Sequence, residues 1–186
     1  MKTAVCALLF AAVAAGASAA SPPGSAQARV FISPSGEPFR PAAGARDPFD
    51  AWFDRVDANH DGRIDRAEFR SDAEAFFKVL DSNGDGVIDG FKIAIYEKNI
   101  APELAAPAEE HAVATSAEGP AMLIADPEPV SSADQALNGK ITLVEWLQVA
   151  DQRFDLLDKK RRGYLDRAEL IALLPKAAKP PPGRGR

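Results

Sequence analysis

Apolar residues recur at helical spacing in short stretches, and most of these stretches run into a polar segment of aspartate, asparagine and glycine. Phe49, Trp52, Phe53 and Val56 form the first stripe, which Asp47 caps and Pro48 opens. A second runs through Phe69, Ala73, Phe76, Phe77 and Leu80, and a third, with Phe91, Ala94 and Ile95, stops before Pro102. Further on, Leu143, Trp146, Leu147, Ala150, Phe154 and Leu157 make a long stripe, and Leu170, Ile171, Leu173 and Leu174 a last short one ended by Pro175. The pattern predicts an all-α fold in which these faces are core. Ser71 with Glu74 has the form of a capping box that would split the second stripe, but the stripe is unbroken and predicts one helix.

Between the first two stripes lies DANHDGRIDRAE, Asp57 to Glu68. Asp57, Asn59, Asp61, Asp65 and Glu68 occupy positions 1, 3, 5, 9 and 12 of a twelve-residue loop, with Gly62 at position 6 and Ile64 at position 8. Ca²⁺ takes six to eight oxygen ligands, and this spacing supplies them. Arg63 contributes only its backbone carbonyl, so its charge can point outward. Position 9, here Asp65, often acts through a water in such a loop, and Glu68 closes the shell with both carboxylate oxygens.

This loop resembles the calcium motif of the EF-hand family at every demanding position. The resemblance extends over about residues 47–174, through one specific loop and three degenerate ones, and implies helix–loop–helix repeats with calcium as the ligand. The second loop is DSNGDGVIDGFK, Asp81 to Lys92. Asp81, Asn83, Asp85, Val87 and Asp89 fit the ligand positions, but Lys92 stands where the bidentate glutamate belongs. Two oxygens are missing and a cation can replace them, so any calcium here is expected to be weakly held. In the third loop, DQALNGKITLVE, Asp134, Asn138, Lys140, Thr142 and Glu145 fit, while Ala136 removes a ligand and leaves room for weak binding only. In the fourth, DKKRRGYLDRAE, Lys160 and Arg162 occupy ligand positions; it is expected to be metal-free, its remaining carboxylates neutralised by those cations.

Asp57 and Asp81 are 24 residues apart, as are Asp134 and Asp158, which suggests a duplicated unit of two halves. So short an interval lets one helix serve both loops of a half, placing them at its opposite ends. Each loop would then pair with one from the other half; the sequence leaves the choice of partners open.

Flanking segments complete the plan. Residues 1–20, with Lys2, the apolar run Ala4 to Ala15 and Ala17-Ser18-Ala19, read as a bacterial signal peptide, which predicts a periplasmic or secreted location. Cleavage removes Cys6, the one cysteine, and takes the net charge from −5 to −6. A cysteine-free exported protein needs another staple, and metal is the obvious one. Residues 21–46 are a Pro/Gly-rich leader in which Val30, Phe31, Ile32 and Phe39 suggest an extended strap docked on the helices. Residues 47–100 hold the first two loops, 101–133 an Ala/Pro-rich connector with an isolated His111, 134–174 the last two loops, and 175–186 a basic, proline-rich tail. VFISPSGEPFR and PEPVSSAD also resemble segments of exported bacterial EF-hand proteins.

The acidic balance disfavours nucleic acid, and membrane contact is expected at most through the basic tail. Neither His60 nor His111 has a recognisable serine or cysteine partner, so no enzyme is expected. Calcium as staple, buffer or environmental sensor is the leading reading. The alternative is an adaptor that binds a protein partner through an apolar groove, disfavoured because Met122 is the one methionine beyond the start.

Overall fold

The computed structural model describes residues 30–41, 44–105, 126 and 128–174. Residues 1–20, read as a signal peptide, lie outside them, as do His111, Met122 and the basic tail. Five α-helices are described: α1 (Pro48–Val56), α2 (Arg66–Leu80), α3 (Gly90–Ile95), α4 (Leu143–Leu157) and α5 (Arg167–Leu173). The all-α expectation needs amending, because six short strands accompany them: β1 (Phe31–Ile32), β2 (Pro38–Phe39), β3 (Arg63–Asp65), β4 (Val87–Asp89), β5 (Lys140–Thr142) and β6 (Tyr164–Asp166). Their brevity explains why periodicity does not announce them. Each of β3 to β6 is three residues inside a polar loop.

The strands fix the pairing of the loops. β3 runs antiparallel to β6, with Ile64 opposite Leu165, so loop one joins loop four. β4 runs antiparallel to β5, with Ile88 opposite Ile141, so loop two joins loop three. The reason lies in α2 and α4. Each is an unbroken helix of 15 residues, about 22 Å long, that leaves one loop and enters the next. Two loops at opposite ends of a rigid rod cannot touch. Side by side, α2 and α4 bring together Phe69 with Phe154 and Phe77 with Trp146, at ring separations of 5.6 and 6.1 Å. Trp146 Nε1 donates to the Ala73 carbonyl at 2.7 Å, so its one polar atom is satisfied at the buried seam.

Entry into loop three is irregular, as the prolines imply. Among the described residues, a 3₁₀ turn, Ser131–Ala133, directly precedes Asp134. After loop two, α3 passes into a single π turn, Tyr96–Ile100, which ends at Ala101 before Pro102.

The strap is a small hairpin. β1 and β2 pair through Phe31 and Phe39, and the chain turns at Gly36, whose φ of 91° favours glycine. Phe31 lies 5.4 Å from Phe49 and 5.3 Å from Trp52, ring to ring, packing on the apolar side of α1. Three polar clamps hold it. Tyr96 donates its hydroxyl to the Gly36 carbonyl at 2.6 Å. Arg55 forks onto both carboxylate oxygens of Glu37. Arg153, buried on α4, donates to the Pro34 carbonyl and to the Pro129 carbonyl, both at 2.7 Å.

Candidate metal centre

All four loops share one backbone form. Position 4 has a left-handed φ in each, at His60, Gly84, Leu137 and Arg161, and so does the glycine at position 6. The aspartate at position 1 shapes each loop. In loop one, Asp57 accepts from the backbone N–H groups of Asp61 at 3.0 Å and Gly62 at 2.9 Å. Asp81, Asp134 and Asp158 likewise accept from the glycine N–H five residues on. The later loops therefore share the turn chemistry of loop one without its full set of oxygen donors.

Loop one carries the complete oxygen set. Asp57 is buried at its base, while Asn59, Asp61 and Asp65 are exposed. Asn59 accepts from Asp61 N–H, and Asp61 from Arg63 N–H, each at 2.9 Å. Glu68 closes a capping box with Asp65 at the start of α2, and its other oxygen accepts from Asn59 N–H at 3.3 Å. The backbone thus orients the carboxylates before any ion arrives. Among the described residues, no three His, Cys, Asp or Glu side chains are gathered in metal-holding geometry. The fit of loop one is one of donor kind and order. Asp57, Asn59, Asp61, the Arg63 carbonyl, Asp65 and Glu68 are all hard oxygen donors, with no cationic side chain of their own loop hydrogen-bonded to them. The Arg63 guanidinium lies over the Tyr164 ring of loop four, 4.2 Å from its centre, and Arg162 lies over the same ring at 4.4 Å. Ligand spacing does not single out Tyr164; an aromatic beside the position-8 leucine was the available signal.

Loop two gathers the residues named for it, but around a different cation. Lys92 Nζ donates to Asp81 Oδ1 at 2.6 Å, Asn83 Oδ1 at 2.5 Å, Asp85 Oδ1 at 2.7 Å and the Val87 carbonyl at 2.6 Å. Asp89 stands apart, capping α3 through Lys92 N–H. Burial works against the Lys92 ammonium, but hydrogen bonds to Asp81 and Asp85 outweigh it and raise its pKa. In return, the Lys92 hydrogen bond draws the Asp85 carboxyl well below the usual range, helped by Asn83, and Asp81 is lowered mainly by the same ammonium.

In loop three, Asp134 and Asn138 accept backbone N–H groups, and Glu145 is bound to Thr142 in a capping box. Lys140 is exposed, and only its carbonyl fits a ligand position. In loop four, Arg162 and Lys160 both pair with Glu169, and Arg162 also reaches Asp166 at 3.6 Å.

Comparison with known proteins matches the EF hand family over residues 49–71 and 73–90. Over these residues the chain carries EF hands. The matched segments take in α1, loop one, most of α2 and the greater part of loop two, and calcium is the ligand of EF hands in general. No curated protein and no solved structure matches the chain.

Proposed function

We propose that this EF-hand protein is an exported calcium binder in which one ion at loop one acts as a staple or slow environmental sensor. One observation carries the reading: loop one is the loop whose every ligand position holds an oxygen donor and whose donors contact no cation of the loop itself. Asp57, Asn59, Asp61, Arg63, Asp65 and Glu68 would hold the ion. Export rests on the N-terminal sequence, and a periplasmic or secreted site sets the affinity scale. Extracellular calcium modules commonly dissociate at about 10⁻⁴–10⁻³ M. At 10 mM calcium, a site of that strength adds about 1.4–2.7 kcal/mol to folding.

The 24-residue intervals support duplication of a two-loop unit. A partner-binding groove is the weaker reading, since Phe31 and the clamped strap already lie on the apolar side of α1. The protein is read as a binder and not as an enzyme.

Tb³⁺ luminescence sensitised by Trp52, with competition by calcium, tests the assignment. Glu68→Gln removes one carboxylate charge from the shell and is expected to weaken binding by about tenfold or more. Equal affinity in wild type and Glu68→Gln would overturn loop one as the site.

A further inference from the structure

Loop two has the backbone of a metal loop and the wrong residue at its last position. Lys92 is the third residue of α3 just as Glu68 is the third of α2, so the same helix start that aims a carboxylate inward in loop one aims an ammonium inward in loop two. The Nζ atom sits against the oxygens of positions 1, 3, 5 and 7, the first four ligands of a calcium loop. Its side chain is 6% exposed, against 69% for Lys78 near the end of α2. An ammonium has three N–H donors, and here four oxygens share them. Calcium could enter only by expelling this group, would find two fewer oxygens than it needs, and would leave a positive charge tethered beside it.

We propose that Lys92 is a built-in replacement for the metal, so that loop two keeps its form without calcium and takes none up. The consequence is spatial. Loop two pairs with loop three through β4 and β5, and loop four, paired with loop one, has its own internal cations in Arg162 and Lys160. Each loop pair therefore contains one member that needs no ion, and loop two adds nothing to the response to calcium. This inference does not require that loop one binds, and its tests separate the two.

Lysine acylation of the full chain, followed by mass spectrometry, reads the state of Lys92 directly. Lys92 is expected to stay protected, with Lys78 labelled, both in chelator and in 10 mM calcium. Labelling of Lys92 that appears on adding calcium would mean the ion displaces it, and would overturn the proposal. Stoichiometry by calorimetry gives the second arm. Asp81→Ala is expected to leave the number of bound ions unchanged, whereas Lys92→Glu in a Glu68→Gln background is expected to gain one bound ion. A lost ion in Asp81→Ala, or no gained ion in a folded Lys92→Glu variant, would refute the assignment. Should Lys92→Glu fail to fold, the wild-type labelling still decides. Failure of the loop-one reading would instead appear as no ion bound by wild type, with Lys92 protected throughout.

Discussion

Replacing Arg153 by methionine tests whether the strap and the connector are held by one buried guanidinium. Arg153 is 6% exposed. Nη1 donates to the Pro34 carbonyl, and Nη2 to the Pro129 carbonyl and, at 2.8 Å, to Ser132 Oγ. Asp126 lies 3.5 Å away and supplies the counter-charge. Desolvation pulls the guanidinium below its ordinary value, and Asp126 opposes that pull. Methionine fills much of the space but donates nothing. Two carbonyls then lose their donor, at about 1–3 kcal/mol each if they stay buried, partly offset because a charge no longer has to be desolvated. We expect a net loss of about 3 kcal/mol, which for a domain of this size lowers the melting temperature by about 10 °C. Calorimetry measures the loss, and tryptic cleavage after Arg40 reports the strap. Arg153→Lys should recover less than half, because one ammonium cannot fork between carbonyls on separate segments. A loss below about 1 kcal/mol, or an unchanged cleavage rate at Arg40, would refute the clamp.

Two other substitutions and one pH profile follow from the same packing. Tyr96→Phe removes the bond to the Gly36 carbonyl and should cost about 1 kcal/mol in urea unfolding. Gly36→Ala should cost more, about 2–3 kcal/mol, because its Cβ would lie 2.9 Å from both Pro129 Cγ and Tyr96 Oη at a φ of 91°. A smaller loss for Gly36→Ala than for Tyr96→Phe would show that the turn is not confined. Asp54 on α1 is lowered from 3.8, chiefly by its hydrogen bond to Arg167 of α5, with Arg46 adding to it. A lowered carboxylate contributes stability above its unfolded value, and that contribution is lost as pH falls through the folded one. Unfolding stability should therefore fall below pH 3.8 in wild type, and less steeply in Asp54→Asn; parallel curves would deny the pair a role.

Helix positions were legible where the apolar stripe is long and regular, as over α2 and α4. The short stripe of α3 misleads as to its core face, since Phe91 is 74% exposed and Lys92 and Tyr96 are buried instead. The order of donors in loop one was legible because twelve consecutive residues carry it. The pairing of loops was not. Position 8 is Ile64, Ile88, Ile141 and Leu165, four nearly equivalent aliphatic residues, so no side-chain preference distinguishes the partners. Rigid helices forbid pairing within a half, and the antiparallel packing of α2 on α4, Phe69 on Phe154 and Phe77 on Trp146, chooses between the pairings that remain. Lys92 was half legible: its position showed the missing glutamate, but its reach to four oxygens depends on the cap by Asp89 that orients α3. Arg153 was hidden. A charged residue within an apolar stripe reads as a solvated face until the carbonyls of Pro34 and Pro129, remote in sequence, arrive beside it.

The crossed pairing of loops has a consequence for how the molecule comes into being. Neither half can finish its own ladders: β3 waits for β6, and β4 waits for β5. Residues 30–105 should accordingly remain unsettled during synthesis until Tyr164–Asp166 arrive. Expressed as two separate polypeptides, the halves should find each other and assemble, each serving as the mould for its counterpart.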